Sequence, residues 1–235
     1  SVFIALSHNR MLRNFGESSR IGSKLSARFV AGTTIEDALR AAEAANRQGM
    51  RVTLDSLGES VTSPEQAYRA AAIYHTLLDK IDAQNLDSNI SVKLTQMGLE
   101  LDPALAEGIA EKLAAHAAAT GTFLRIDMED SSLTQVTLDI VRRLYTRPEL
   151  HGAIGIVIQS YLHRSLADIQ QLITDGIRVR LCKGAYKEPA SIAFPRKADV
   201  DLNYVRLSAM LLDSSICHGL ATHDEAMIEA VKSYA

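Results

Sequence analysis

Between about residue 50 and residue 225 the chain repeats one pattern six times: a short run of alternating apolar residues, then a longer run with apolar residues at helical spacing. Strand starts fall roughly 24 to 40 residues apart, the length of a βα unit. A strand that returns beside its predecessor after a helical crossover runs in the same direction, so the pattern commits the chain to a parallel sheet. A closed barrel and an open doubly wound sheet both satisfy it. No GxGxxG follows the first strand and no Walker sequence occurs, which counts against the usual nucleotide-binding open sheets. The expectation is an α/β barrel of the (βα)8 TIM type with about six of its eight units present.

Residues 1–32 read as an N-terminal helical segment and 33–235 as the incomplete barrel. Thr34 and Asp37 form a capping pattern ahead of the first regular helix, which Gly49 ends. Ser63, Pro64 and Gln66 open a second helix, and Asp102 with Pro103 a third. A fourth is predicted over Thr134–Tyr145, a fifth capped by Ser165 with Asp168, a sixth from about Val200 to Leu212 and a last from Glu225. The strands lie in RVTLDSLGE, NISVKLTQMG, FLRIDMED, AIGIVIQSY, RVRLCKGAY and HGLATHDE.

In a parallel barrel the C-terminal strand ends carry the ligand site. Here they deliver Asp55 and Glu59; Lys93 and Gln96; Asp127, Glu129 and Asp130; Gln159 and Tyr161; Arg180, Lys183 and Tyr186; Thr222, His223 and Asp224. Polar groups from six strands on one face make a site. Arg180 and Lys183 stand where the fifth strand turns at Gly184, leaving cations and amides for an anionic ligand. Lys93 in a barrel interior needs a carboxylate, which Asp127 or Glu59 can supply. Asp127 is expected to face the interior with Arg125 turned away, and for Glu129 and Asp130 the alternative to a place in the site is a solvated acidic loop.

Charge adds exclusions. A net charge of -3 and a pI near 6.2 leave no basic footprint for nucleic acid. No apolar run reaches transmembrane length. The seven histidines and the two cysteines, Cys182 and Cys217, show no ligand or redox spacing, so no metal site is expected. The cysteine usage favours a reducing, cytoplasmic setting.

RVTLDSLGE, SVKLTQMG, RIDMEDSS, VIQSYL, RLCKGAYKEP and ATHDE, in this order, resemble proline dehydrogenase, and the monofunctional bacterial form more than the bifunctional one. The resemblance covers roughly Phe29 to Glu225. It implies a distorted (βα)8 barrel that binds FAD without a Rossmann fold, which agrees with the missing glycine fingerprint. It further implies oxidation of L-proline to Δ1-pyrroline-5-carboxylate, the first step of proline catabolism, with electrons passed to a quinone-type acceptor and peripheral membrane contact as an option. On the matching positions, Arg180 lies beside the flavin N5 edge and Gln159 hydrogen-bonds the ring, against which Met128 packs. Lys183, Gly184 and Ala185 form the loop over the cofactor, and Thr222 and His223 hold its ribityl–phosphate region. Lys93 and Asp127 belong to the substrate side, Lys93 near the proline carboxylate.

Members of the family continue through two further βα units to a last helix with a Tyr-x-x-Arg-Arg motif, and the sequence stops before them at Ala235. A fragment is therefore expected. The alternatives are a Schiff-base lyase with Lys93 or Lys183 as the amine nucleophile, and a non-catalytic barrel fragment.

Overall fold

The computed structural model describes residues 30–58 and 60–235. The helical segment expected over residues 1–32, but for its last three residues, and the carboxylate of Glu59 lie outside the described residues. The chain divides into two units, with the boundary inside the first strand: Ser1–Val52 and Thr53–Ala235. In the first unit, helix α1 (Ile35–Asn46) opens on a complete capping box. Thr34 Oγ1 accepts the Asp37 N–H at 3.2 Å, and Asp37 Oδ2 accepts the Thr34 N–H at 3.3 Å.

The sheet comprises β1 (Val52–Asp55), β2 (Ser88–Val92), β3 (Leu124–Ile126), β4 (Ile154–Gln159), β5 (Arg178–Cys182) and β6 (Gly219–Leu220). Between and after them come α2 (Pro64–Ala83), α3 (Pro103–Ala119), α4 (Thr134–Tyr145), α5 (Ser165–Thr174), α6 (Lys197–Leu212) and α7 (Glu225–Tyr234). Strand order is β1-β2-β3-β4-β5-β6, and every pairing from β2 to β6 is parallel. A doubly wound sheet reverses its order at a switch point. An unbroken sequential order winds one way throughout, as a barrel does, and the six strands form an arc of one.

Strand periodicity sorts the residues onto two faces. Ile90 and Val92, Leu124 and Ile126, Ile154, Ile156 and Ile158, and Val179 and Leu181 are buried in the core. Helices α2, α4, α5 and α6 pack on these strands. The opposite, lumenal parity carries Ser91, Arg125, Asp127, Val157, Gln159, Arg178 and Arg180. Arg125 therefore shares a face with Asp127 and is not turned away, because residues two apart in a strand point the same way. Its Nη1 donates to Thr53 Oγ1 at 3.3 Å, and its guanidinium lies 5.2 Å from the Phe123 ring centroid.

The helix starts mostly follow local chemistry. Ser63 Oγ accepts the Gln66 N–H at 3.4 Å and Asp102 Oδ1 the Ala104 N–H at 2.9 Å, each ahead of a first-turn proline. Gln66, however, reaches back to the Thr62 N–H at 2.8 Å rather than to that of Ser63. The Ser165–Asp168 cap does not form. Ser165 Oγ donates instead to Gln159 O at 2.5 Å, and Asp168 pairs with Arg164 at 2.7 Å, so α5 starts without a side-chain cap. Helix α6 begins at Lys197, ahead of Val200, with Arg196–Asp199 and Lys197–Asp201 pairs supporting its first turn.

Candidate active site

Asp127 follows β3 directly and is the hub of the lumen. Its Oδ2 lies 3.0 Å from Lys93 Nζ, which β2 delivers, and its Oδ1 lies 2.6 Å from Arg180 Nη2 on β5. Ser91 Oγ donates to the same Oδ1 at 2.5 Å. Lys93 also meets Asp55 Oδ2 at 3.1 Å, and Asp55 Oδ1 accepts from the buried Tyr74 hydroxyl at 2.9 Å. Burial alone would pull the Lys93 ammonium down, but the carboxylates of Asp127 and Asp55 outweigh it and hold the pKa above the ordinary lysine value. An amine that attacks a carbonyl has to lose its proton near neutrality. Lys93 Nζ is instead tied to two carboxylates, an arrangement that suits a fixed cation.

One layer higher, Glu129 is buried, not solvated. Thr95 supplies both of its partners, N–H to Oε2 at 3.0 Å and Oγ–H to Oε1 at 2.5 Å. Burial still raises the Glu129 pKa above the ordinary value, with the two Thr95 bonds opposing the rise. The backbone carbonyl of Glu129 accepts Gln159 Nε2–H at 2.7 Å, which fixes the amide of the buried Gln159 side chain.

Beyond β5 the chain turns at Gly184, φ +107°, where a Cβ would stand 2.3 Å from the Tyr161 ring. Only glycine accepts both the backbone conformation and the contact. Lys183 bridges two carboxylates, Asp201 on α6 and Asp224 at the N-cap of α7, the latter at 2.7 Å. Lys197 shares both partners, 3.1 Å from Asp224. These bonds to Lys183 and then Lys197 hold the Asp224 carboxyl well below the usual range.

A cavity of about 350 Å³ opens among these groups. Asp127, Met128, Gln159, Arg180, Lys183, Gly184, Ala185, Thr222 and His223 all line it, whereas Lys93, Asp55, Gln96, Glu129, Asp130, Tyr161 and Asp224, also expected at the strand ends, do not. Lys93 reaches it through Asp127. The sequence reading passed over Val157, Cys182 and Ala221, which complete the wall with Tyr186. Strand parity was the available signal for the first two, since Val157 pairs with Arg180 and Cys182 with Gln159. Ser91 was legible in the same way, two residues before Lys93. Burial pushes the Cys182 thiol up to about 11, so it is a packing thiol and not a nucleophile.

A singly wound parallel arc whose C-terminal strand ends bring charged and amide side chains to one cavity defines a (βα)-barrel enzyme. The family model for proline dehydrogenase matches residues 38–235. Proline dehydrogenase 1 of Bacillus subtilis (strain 168) is 38% identical over 232 residues, 98% of this chain and 75% of that protein. The proline dehydrogenase of Deinococcus radiodurans is 39% identical over 215 residues, 89% of this chain and 68% of that one. Identity to the bifunctional protein PutA of Escherichia coli (strain K12) is 27% over 272 residues, 99% of this chain but 21% of that protein. Among solved structures, proline utilization A from Bdellovibrio bacteriovorus inactivated by N-propargylglycine matches with a TM-score of 0.83 and 24% identity, over 91% of this chain and 27% of that one. That likeness shows the barrel fold. The chain belongs to the proline dehydrogenase family, on the side of its monofunctional members, and is a flavin-dependent enzyme of proline oxidation.

Proposed function

We propose that the protein oxidises L-proline to Δ1-pyrroline-5-carboxylate with FAD as cofactor and a quinone-type electron acceptor. The observation that carries this reading is the meeting of Arg180, Gln159, Lys183 and the Gly184–Ala185 turn on one cavity, beside the Lys93–Asp127 pair. A volume of about 350 Å³ lies within the range of small-molecule sites and suits an isoalloxazine ring system, not a whole dinucleotide. The donor set suits it as well. Among the described residues the Arg180 guanidinium engages only Nη2, so Nε and Nη1 remain for a ring acceptor. Gln159 has Nε2 engaged and Oε1 left to accept a ring N–H.

When bound, the flavin supplies a two-electron acceptor for the hydride that leaves the proline ring carbon beside nitrogen. In this reading Arg180 stands ready to balance negative charge that develops on the acceptor side, a fixed cation needing no rearrangement at the moment of reaction. Lys93 keeps a third N–H for the proline carboxylate. Asp127 orders Lys93 and Arg180 and is not an obligatory base. Met128 packs near the ring, and Thr222 and His223 hold the ribityl–phosphate region. Lys183, already matched by Asp201 and Asp224, anchors the turn that covers the cofactor. Residues 1–32 as a separate segment, 33–235 as the catalytic domain, and a cytoplasmic location with peripheral membrane contact for quinone reduction belong to the same proposal. Among the described residues no helix is long and apolar enough to cross a membrane.

The test is the visible spectrum of the purified protein before and after L-proline is added without oxygen. Flavin bands that bleach with proline are expected. A protein that is colourless, and remains so after incubation with FAD, overturns the proposal.

A further inference from the structure

The segment that leaves β5 is fastened to the loop after β4 at both of its ends. Gly184 lies against the Tyr161 ring, and farther on Phe194 N–H donates to Tyr161 O at 2.8 Å while His163 N–H donates to Ile192 O at 3.0 Å. Its middle meets the same loop again at Ala190, whose carbonyl lies 3.0 Å from His163 Nε2, and one side chain ties it the opposite way. Glu188 Oε1 accepts the Ser131 N–H at 2.8 Å and Oε2 accepts the Ser131 Oγ–H at 2.6 Å. Ser131 belongs to the loop after β3, so the segment spans the C-terminal end of β4, from the β5 side to the β3 side. Between the Gly184 anchor and Glu188 lie Ala185 and Tyr186, both on the cavity wall. Glu188 itself does not line the cavity.

We propose that Glu188 is a positioning residue that clamps this segment onto the β3 loop and so presets Ala185 and Tyr186 as one wall of the cavity in which flavin and proline meet. A carboxylate gripping two donors of one residue fixes direction as well as distance. Without it the stretch from Ala185 to Glu188 is held only from Gly184 on one side and Ala190 on the other, and closing it falls to the binding energy of the ligand. The inference rests on the reading of the cavity as the place where flavin and proline meet, and its test separates the two.

Glu188→Ala removes both acceptors, while Glu188→Gln keeps one for the Ser131 N–H. The KM for L-proline should rise about tenfold in the alanine variant and about threefold in the glutamine variant, with kcat within about twofold, the pattern of lost uniform binding. Ser131→Ala, which keeps the backbone half of the clamp, should match the glutamine variant. Hydrogen exchange at the amides of residues 184–188 should quicken in Glu188→Ala, while the amides of Ile192 and Phe194 keep their protection. If the alanine variant does not fold, the Glu188→Gln and Ser131→Ala kinetics decide. Unchanged exchange in a folded alanine variant, unchanged KM, or a kcat loss as large as the KM rise overturns the clamp. A wild-type protein that does not oxidise proline overturns the proline reading alone, since the exchange measurement still decides the clamp.

Discussion

Asp127→Ala removes the one carboxylate that Lys93 and Arg180 both touch, at 3.0 and 2.6 Å. The side chains are 14% exposed for Asp127, 28% for Lys93 and 24% for Arg180. That environment lies between an open surface pair, worth about 0.2–1 kcal/mol, and a fully buried one, whose disruption costs about 3–5 kcal/mol. Lys93 retains Asp55 at 3.1 Å, so most of the uncompensated charge falls on Arg180. A total loss of about 2–3 kcal/mol follows from those limits. For a domain of this size it lowers Tm by roughly 5–10 °C. Asp127→Asn, which still accepts from Ser91 and Arg180 but carries no charge, should lose about half as much. Thermal scans at neutral pH measure both, with and without added salt. A Tm for Asp127→Ala within about 1 °C of wild type would refute the reasoning, because the two cations would then be satisfied without Asp127.

Two further outcomes follow from the same geometry. Gly184→Ala meets both a positive φ and the Tyr161 ring, so it should cost about 1–3 kcal/mol and lower flavin retention, read by thermal scan and by absorbance after desalting. The raised pKa of Glu129 means that its stability contribution is fully present below the unfolded glutamate pKa, near 4.3, and is lost as pH rises through the folded value. The stability of wild type relative to Glu129→Gln should therefore fall as pH is raised from about 4 to neutrality. A difference that is flat with pH would remove the burial argument.

Local sequence carried the six-fold alternation, the apolar strand faces and the proline-led helix starts, because each depends on residues within a few positions of one another. What it did not carry depends on partners far along the chain. Glu129 reads as solvated until β2 brings Thr95, 34 residues away, against it. Lys183 reads as a free cation until α6 and the start of α7 supply Asp201 and Asp224. The Ser165–Asp168 pattern is a sound cap by spacing, yet Gln159 O claims the hydroxyl. Arg125 was a different failure: the strand period already placed it beside Asp127, and applying that period strictly recovers it.

The core, not the ion pairs, sets the register of the site. On β5 Val179 and Leu181 are buried in the core while Arg178 and Arg180 take the lumenal parity. A slip of one residue would put Arg180 into the apolar core and Leu181 into the cavity. An unpaired guanidinium there would cost several kcal/mol, more than the lumen pairs are worth. The pairing of Val157 with Arg180 is thus enforced by apolar residues on the other face of the sheet. It follows that Asp127→Ala leaves the Arg180 backbone in place and exposes an unbalanced charge at a fixed point. Added salt should then recover part of the lost Tm, as it screens a charge but cannot restore a displaced strand. A deficit that salt does not reduce would mean that Asp127 helps to hold the register itself.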